Sequence, residues 1–288
     1  MDNAIEIKGL RKEYKGFALD DVTFDVPRGY IIGLIGPNGA GKTTTIKAIM
    51  NLVRRDAGEI RVFGLDNIRR EAEIKARLGF VYDVPRFPED LPLRTIASAV
   101  GAFYERWDQA KFDGLLEEFR LSPRQVFKKL SHGMKMKFSL ALALAHDAEL
   151  ILMDEPTAGL DPAFRFELLS KLRALIQDER KTVLFSSHIT SDLERVADFI
   201  TFIHKGRVVF SAAKDEILEA WGVVRAAGDG FKPTEVPGAR GSRRTEHNFE
   251  VLTSDLSAAR RASLPGAVFD RASLEDIMFF ISKGNGHA

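Results

Sequence analysis

Gly36, Gly39 and Gly41, followed by Lys42 and Thr43, are spaced as glycine, four residues, then Gly-Lys-Thr. That is the pattern of a phosphate-binding loop. Glycines reach backbone conformations closed to residues with a Cβ, so N–H groups along Gly36-Pro37-Asn38-Gly39-Ala40-Gly41-Lys42 can converge on one polyphosphate. A helix beginning near Lys42 points the positive end of its dipole at the same anion. The Lys42 amine is a mobile charge for β- and γ-phosphates, and the Thr43 hydroxyl is a hard oxygen ligand for Mg2+. Thr44 offers a second hydroxyl to the α- or β-phosphate. The chemistry these residue types serve is the grip of a nucleoside triphosphate.

A second constellation lies further along. The apolar run Leu150-Ile151-Leu152-Met153 ends in Asp154-Glu155. In a phosphate-loop enzyme a carboxylate at such a strand tip supports Mg2+, usually through water. The next carboxylate, Glu155, is placed to polarise the water that attacks the γ-phosphate. A lone Asp-Glu at a strand end is commonly surface charge; beside a phosphate loop it carries more weight. Tyr14, with Phe17 in reserve, precedes the loop as an aromatic able to stack on adenine, with plain packing an equal alternative. His146, His204, His247 and His287 show no metal-like spacing and read as solvated or structural.

These groups need elements to hold them. Residues 30–35 read as a buried strand, and Ile46, Ile49, Met50 and Val53 recur at helical spacing behind the loop. Ile5-Glu6-Ile7 alternates like an edge strand, and Val22 to Val26 alternates again before Pro27. Further strands are expected over 59–63, 78–82, 149–153 and 182–186, with helical stretches over 67–78 and 191–196. Residues 200–203 and 208–210 pair around Lys205-Gly206, a hairpin signal. From Pro85 to about Leu130 the texture changes: Pro85, Pro88 and Pro92 mark a loop, and 95–107 and 109–119 read as helices. Ser131 is a candidate N-cap for a long helix through His146, and Asp161-Pro162 starts another, with Asp as cap and Pro in the first position. The alternation predicts an α/β fold with a mostly parallel sheet covered on both faces and an α-helical insertion. Beyond Leu218 the pattern weakens. Residues 226–247, rich in Gly, Pro and Arg, read as loop, before a strand over 248–252 and an amphipathic helix over 274–282.

Composition bounds the rest. The 288 residues suffice for one large domain with an appendage, and the 45% hydrophobic content suits a full core. A formal net charge of +1 gives no overall field for nucleic acid. The absence of cysteine removes thiolate chemistry and is compatible with a cytoplasmic setting. The N-terminus lacks the profile of a signal peptide, and no run approaches the roughly 20 apolar residues that span a bilayer. Any membrane role is expected to pass through a separate partner.

Taken in order, Tyr14, Gly36–Thr44, the Asp83 region, Leu130-Ser131-His132-Gly133-Met134, Leu150-Ile151-Leu152-Met153-Asp154-Glu155-Pro156 and His188 resemble the motifs of the ATP-binding cassette (ABC) ATPases, nucleotide-binding subunits of ABC transporters. The resemblance covers residues 4 to about 218. It implies the phosphate-loop NTPase fold of ABC type: a mostly parallel sheet, an antiparallel β N-terminal part and a helical insertion. A nucleotide-binding domain over 1–218, a helical subdomain over about 85–146 and a small α+β accessory extension over 219–288 are expected. It implies that Tyr14 stacks on adenine, that Gly36 to Thr44 hold phosphates and Mg2+, that Thr43, Asp83 and Asp154 serve the metal, that Glu155 is the catalytic carboxylate, and that His188 contacts the γ-phosphate. Ser131 and Gly133 would meet the ATP of an opposing subunit, and Ala158-Gly159-Leu160-Asp161 would signal across the dimer. The partners implied are ATP, a second ABC ATPase subunit and integral membrane permease subunits, with the chain peripheral on the inner face of the cell membrane and no nucleic acid expected. The alternative is a soluble ATP-gated clamp acting on ribosomes or nucleic acid. A single cassette without sustained heptads favours a transport ATPase, and Leu130-Ser131-His132-Gly133-Met134-Lys135, the Trp107-Asp108 pair and the C-terminal tail most resemble bacterial exporters with a separately encoded permease. Two departures stand out: His132 replaces the first of two glycines usual in Leu-Ser-Gly-Gly-Gln, where Met134 also replaces Gln, and Asp83 stands where Gln or Glu is general.

Overall fold

Three sheets account for the strands of the computed structural model, which describes residues 2–83, 86–227, 232–245, 248–262 and 264–283. Pro85, His247 and His287 lie outside the described residues.

The chain opens with β1 (Asn3–Tyr14) and β2 (Phe17–Pro27), an antiparallel pair whose alternate residues, among them Ile5, Ile7, Leu19, Val22 and Phe24, are buried. Then come β3 (Ile31–Ile35), α1 (Lys42–Ile49), β4 (Ala57–Val62), the two-residue β5 (Leu65–Asp66), α2 (Glu71–Ala76) and β6 (Leu78–Val81). The helical part holds α3 (Leu93–Gly101), α4 (Gln109–Glu118) and α5 (His132–Ala145). The chain returns through β7 (Leu150–Asp154), α6 (Pro162–Leu175), β8 (Thr182–Ser187), α7 (Thr190–Val196), β9 (Phe199–His204), β10 (Arg207–Ala213) and α8 (Lys214–Ala220). It ends in β11 (Gly222–Ala227), β12 (Ala239–Arg244), β13 (Asn248–Thr253), α9 (Leu256–Arg261), β14 (Val268–Arg271) and α10 (Leu274–Lys283).

The first sheet has the order β2-β1-β4-β5 and is antiparallel. Its β1 is therefore an inner strand, not the edge that its short alternation suggested; pairing with β4 begins only after the sheet folds back over some 50 residues. The second sheet runs β10-β9-β3-β8-β7-β6, parallel throughout except for β10. Every residue of β3, β7 and β8 is buried, as continuous apolar runs in a parallel sheet require. The register sets Ile35 beside Ser187 and Asp154 beside Ser186. The phosphate loop, Asp154-Glu155 and Ser187-His188 thus emerge side by side from the carboxyl ends of three adjacent strands, where open α/β sheets carry their ligands.

The helical part is built on aromatic packing: Phe87 meets Phe127 and Phe138 edge-on at 5.4 and 5.6 Å between ring centres. The helix expected over 95–107 spans Leu93–Gly101 instead, and Trp107 folds back onto its end, where a Cβ at Gly101 would lie 2.7 Å from the indole. α5 lies against β6 through His146, whose Nδ1 and Nε2 sit 3.1 Å from the carbonyls of Leu142 and Leu78. Stacked on Tyr104 and buried, with its pKa pushed down by burial, His146 is structural.

The third sheet, β12-β13-β11-β14, corrects the expectation of a loop over 226–247. β12 (Ala-Arg-Gly-Ser-Arg-Arg) has little intrinsic strand propensity, and pairing with β13 imposes its conformation. α10 buries Leu274, Ile277 and Phe280 in the same core as Leu193 and Val196 of α7. The Leu274 N–H donates to Glu194 Oε1 at 2.7 Å.

Gly206, in the β9–β10 turn, ties the outer strands to the phosphate loop. Its N–H donates to Ala40 O at 3.0 Å, and its carbonyl accepts from Asp20 N–H at 2.9 Å. Its φ is +76°, and a Cβ would lie 1.8 Å from Ala18 O. Gly206→Ala is expected to cost about 2–3 kcal/mol of stability and to lower the thermal midpoint correspondingly, read by calorimetry. A midpoint equal to that of the parent chain would contradict this packing.

Candidate functional site

Two cavities flank the loop after β3. One, of about 440 Å³, is lined by Gly16, Phe17, Asn38, Gly39, Ala40, Gly41, Lys42, Thr43, Thr44 and Glu155. The other, of about 660 Å³, opens beside Thr43, Asp154, Asp83 and Tyr82 toward Phe87, Tyr104 and His146 of the helical part. Thr43 belongs to both walls.

The loop keeps its shape through close approach. At Gly36 a Cβ would lie 2.2 Å from Ile203 O, and at Gly41, with φ +116°, 2.5 Å from Leu19 Cδ2. Only glycine fits either place. Lys42, 5% exposed, donates from Nζ to Gly36 O at 2.7 Å and lies 3.1 Å from Glu155 Oε1. Its amine therefore stands between the loop carbonyls and the acid at the end of β7.

Asp154 is held from two sides. Thr43 Oγ1 donates to its Oδ1 at 3.0 Å, and Ser186 Oγ donates to the same oxygen at 2.7 Å. The Ser186 hydroxyl in turn accepts the Glu155 N–H at 2.9 Å. Ser186, fully buried, was not singled out from the sequence; its signal was polarity at the end of an otherwise apolar strand. Glu155 has φ +48°, a left-handed backbone uncommon for a residue with a Cβ. The turn aims its side chain back at the loop. There Oε2 accepts from the His188 N–H at 3.2 Å and lies 2.8 Å from His188 Nδ1. Lys42, Glu155 and His188 form one continuous chain of contacts.

The oxygen donors fit Mg2+ chemically. Thr43 and Asp154 present a hydroxyl and a carboxylate already in mutual contact, and Asp83 lines the same cavity wall. Burial pushes the Asp83 pKa up, with Asp154 and Glu155 adding to the rise and His132 and His188 opposing it. Among the described residues no group of three or more His, Cys, Asp or Glu forms a ready-made metal cage.

Tyr14 and Phe17 both stand at this end of the β1–β2 hairpin, with ring centres 6.5 Å apart. Phe17 lines the loop cavity, whereas Tyr14 is 46% exposed outside the lining and has Lys12 Nζ 5.6 Å from its ring centre. Ser131 and Gly133 line neither cavity. They form the N-terminus of α5, where Ser131 Oγ accepts from the Met134 N–H at 3.3 Å, as the capping pattern predicts. Asp161 caps α6 in the same way, accepting from the Ala163 and Phe164 N–H groups.

Comparisons with known proteins agree with this geometry. The family model described as ABC transporter matches residues 19–158. A daunorubicin resistance ATP-binding protein of Streptomyces coeruleorubidus is 34% identical over 239 residues, 79% of this chain and 75% of that protein. A bacitracin transport ATP-binding protein of Bacillus licheniformis is 33% identical over 212 residues, 73% of this chain and 69% of that protein. Among solved structures, an ATP-binding subunit of an ABC transporter superposes with a TM-score of 0.67 at 30% identity, covering 75% of this chain and 92% of that one. A dimeric ATP-binding cassette bound to ADP and Pi superposes at 0.65 with 21% identity over 73% of this chain and 98% of that one, a likeness of fold.

Proposed function

Because the chain belongs to the family of ABC transporter ATP-binding subunits, and is an ATPase of that family, we propose that it works as one of two such subunits that close on ATP and drive a separate membrane permease, in the direction of export. The observation that carries this reading is the Lys42–Glu155–His188 chain, at the carboxyl ends of β3, β7 and β8. Export is supported by the names of relatives, among them a daunorubicin resistance, a bacitracin transport and a Nod factor export ATP-binding protein. Among the described residues no helix is long and apolar enough to cross a membrane. In this reading the permease is a different polypeptide, and the chain sits peripherally on the inner face of the cell membrane.

In this reading Gly36 to Thr44 wrap the phosphates, and Lys42 Nζ leaves Glu155 to neutralise the γ-phosphate. Thr43 and Asp154 would hold Mg2+, with Asp83 at the edge of the same site. The ion supplies charge neutralisation along the phosphates. Glu155 accepts a hydrogen bond from the attacking water and orients it, while His188, freed from Oε2, donates to the γ-phosphate. Tyr14 offers its exposed face to the adenine, beside Phe17 in the cavity wall. Ser131 and Gly133, on a capped helix N-terminus, would meet the nucleotide of the opposing subunit. The groove beside Asp83, roofed by the helical part, would receive the permease. We divide the chain into a nucleotide-binding domain over 1–218, with a helical subdomain over about 85–146, and an accessory extension over 219–288.

Affinity purification of the full chain from detergent-solubilised membranes tests the assignment. A polytopic membrane protein in stoichiometric amount is expected. Recovery of ribosomes or nucleic acid in its place would overturn the transport reading.

A further inference from the structure

His132 is the first residue of α5, directly after the capping Ser131. It occupies the position at which the resembling sequences usually carry glycine. Its Nε2 lies 3.1 Å from the carbonyl oxygen of Ala158. A carbonyl only accepts, so Nε2 carries the proton in this contact. The ring also covers Gly159, where an added Cβ would lie 3.7 Å from His132 Cδ2. Gly159 has φ +68°, a conformation that favours glycine, and the bare face that results is the one the imidazole fills. A glycine at 132 would make neither contact.

The tie reaches the reacting end of the molecule through backbone. The Ala158 N–H donates to Glu155 O at 3.1 Å, so the carbonyl held by His132 belongs to the turn that sets the Glu155 side chain. On its other side the loop runs into Asp161, the cap of α6. One turn on, Arg165 Nε donates to Asp192 Oδ1 at 2.5 Å and Arg165 Nη2 to Ser191 Oγ at 3.1 Å, on the helix that follows His188. Asp192 is buried and Arg165 partly exposed, so this second link is half-buried.

We propose that His132 is a positioning residue for ATP hydrolysis: through Nε2 it holds the Ala158–Asp161 loop, and with it the turn at Glu155, against the N-terminus of α5. The link to hydrolysis rests on the reading of Glu155 as the catalytic carboxylate.

The test uses the full chain with His132→Gly and His132→Gln. Losing one such hydrogen bond is expected to lower kcat roughly three- to tenfold, with KM for ATP within about twofold, because the nucleotide's own loop is untouched. Amide exchange over 158–161, measured without nucleotide, should accelerate by a similar factor. His132→Gln, whose amide N–H can reach the same carbonyl, should recover most of both. Unchanged exchange in His132→Gly overturns the tie. Accelerated exchange with unchanged kcat overturns its link to hydrolysis, and so does a His132→Gln variant as slow as His132→Gly. Near-normal turnover by Glu155→Gln is the separate failure of the underlying reading.

Discussion

Glu155→Gln is expected to keep ATP binding while lowering kcat by roughly a thousandfold, in the range lost with a general base in phosphate chemistry. The side chain is 14% exposed, with Oε1 3.1 Å from Lys42 Nζ and Oε2 2.8 Å from His188 Nδ1. Glutamine has the same shape, so the packing of the turn at φ +48° survives. What disappears is the charge. Two consequences with opposite signs follow from one substitution. The water near the γ-phosphate loses the acceptor that orients it, so chemistry stalls. The γ-phosphate also loses a repelling carboxylate from a low-dielectric site, so ATP binds at least as tightly as before. A protein that binds ATP and does not cleave it should accumulate in the closed, two-subunit form. Phosphate release, nucleotide titration and sedimentation read the three quantities. Hydrolysis within about threefold of the parent rate would remove Glu155 from its proposed role.

The residues that make this site were legible because each needs a local pattern that the linear sequence displays. A phosphate loop requires glycines at fixed positions, and Gly36 and Gly41 are held by contacts that admit no Cβ. Capping is equally local, and Ser131 and Asp161 cap the helices expected of them. Contacts that depend on register between distant strands were not legible. Ser186 joins Asp154 only because β7 and β8 pair in parallel with those residues opposed, 32 positions apart. The interior place of β1 has the same cause, as does β12, a polar Gly- and Arg-containing segment that becomes a strand by pairing with β13. His132 is the instructive intermediate. Its departure from the usual glycine was visible in sequence, but the carbonyl it reaches lies on another element. A side chain in place of glycine signals that something fills the space, and says nothing of what it touches.

Lys42→Met separates binding from chemistry in the other direction. The lysine stem is buried at 5% exposure, and its amine donates to Gly36 O at 2.7 Å, with Pro37 O 3.4 Å away. Those carbonyls curl the loop around the amine, so Lys42 shapes the cradle as well as charging it. Methionine keeps the length and apolar body of the stem and removes the charge. Three or four phosphate charges then meet a loop that keeps its backbone N–H groups and threonine hydroxyls but has lost its own cation, and the affinity for Mg-ATP should fall by about a hundredfold or more, in keeping with charge-assisted contacts to phosphate. The loss should be smaller for ADP, which lacks the γ-phosphate. Glu155 loses its nearest cation in the same step while keeping His188, so a modest fall in thermal midpoint is also expected. Calorimetric titration with ATP and ADP, beside a melting curve, distinguishes the effects. A cooperative melt with weak ATP binding supports the charge argument. A cooperative melt with ATP affinity within about threefold of the parent would mean that the loop binds phosphate by its backbone alone, and Lys42 would then lose its place as the charge that grips the γ-phosphate.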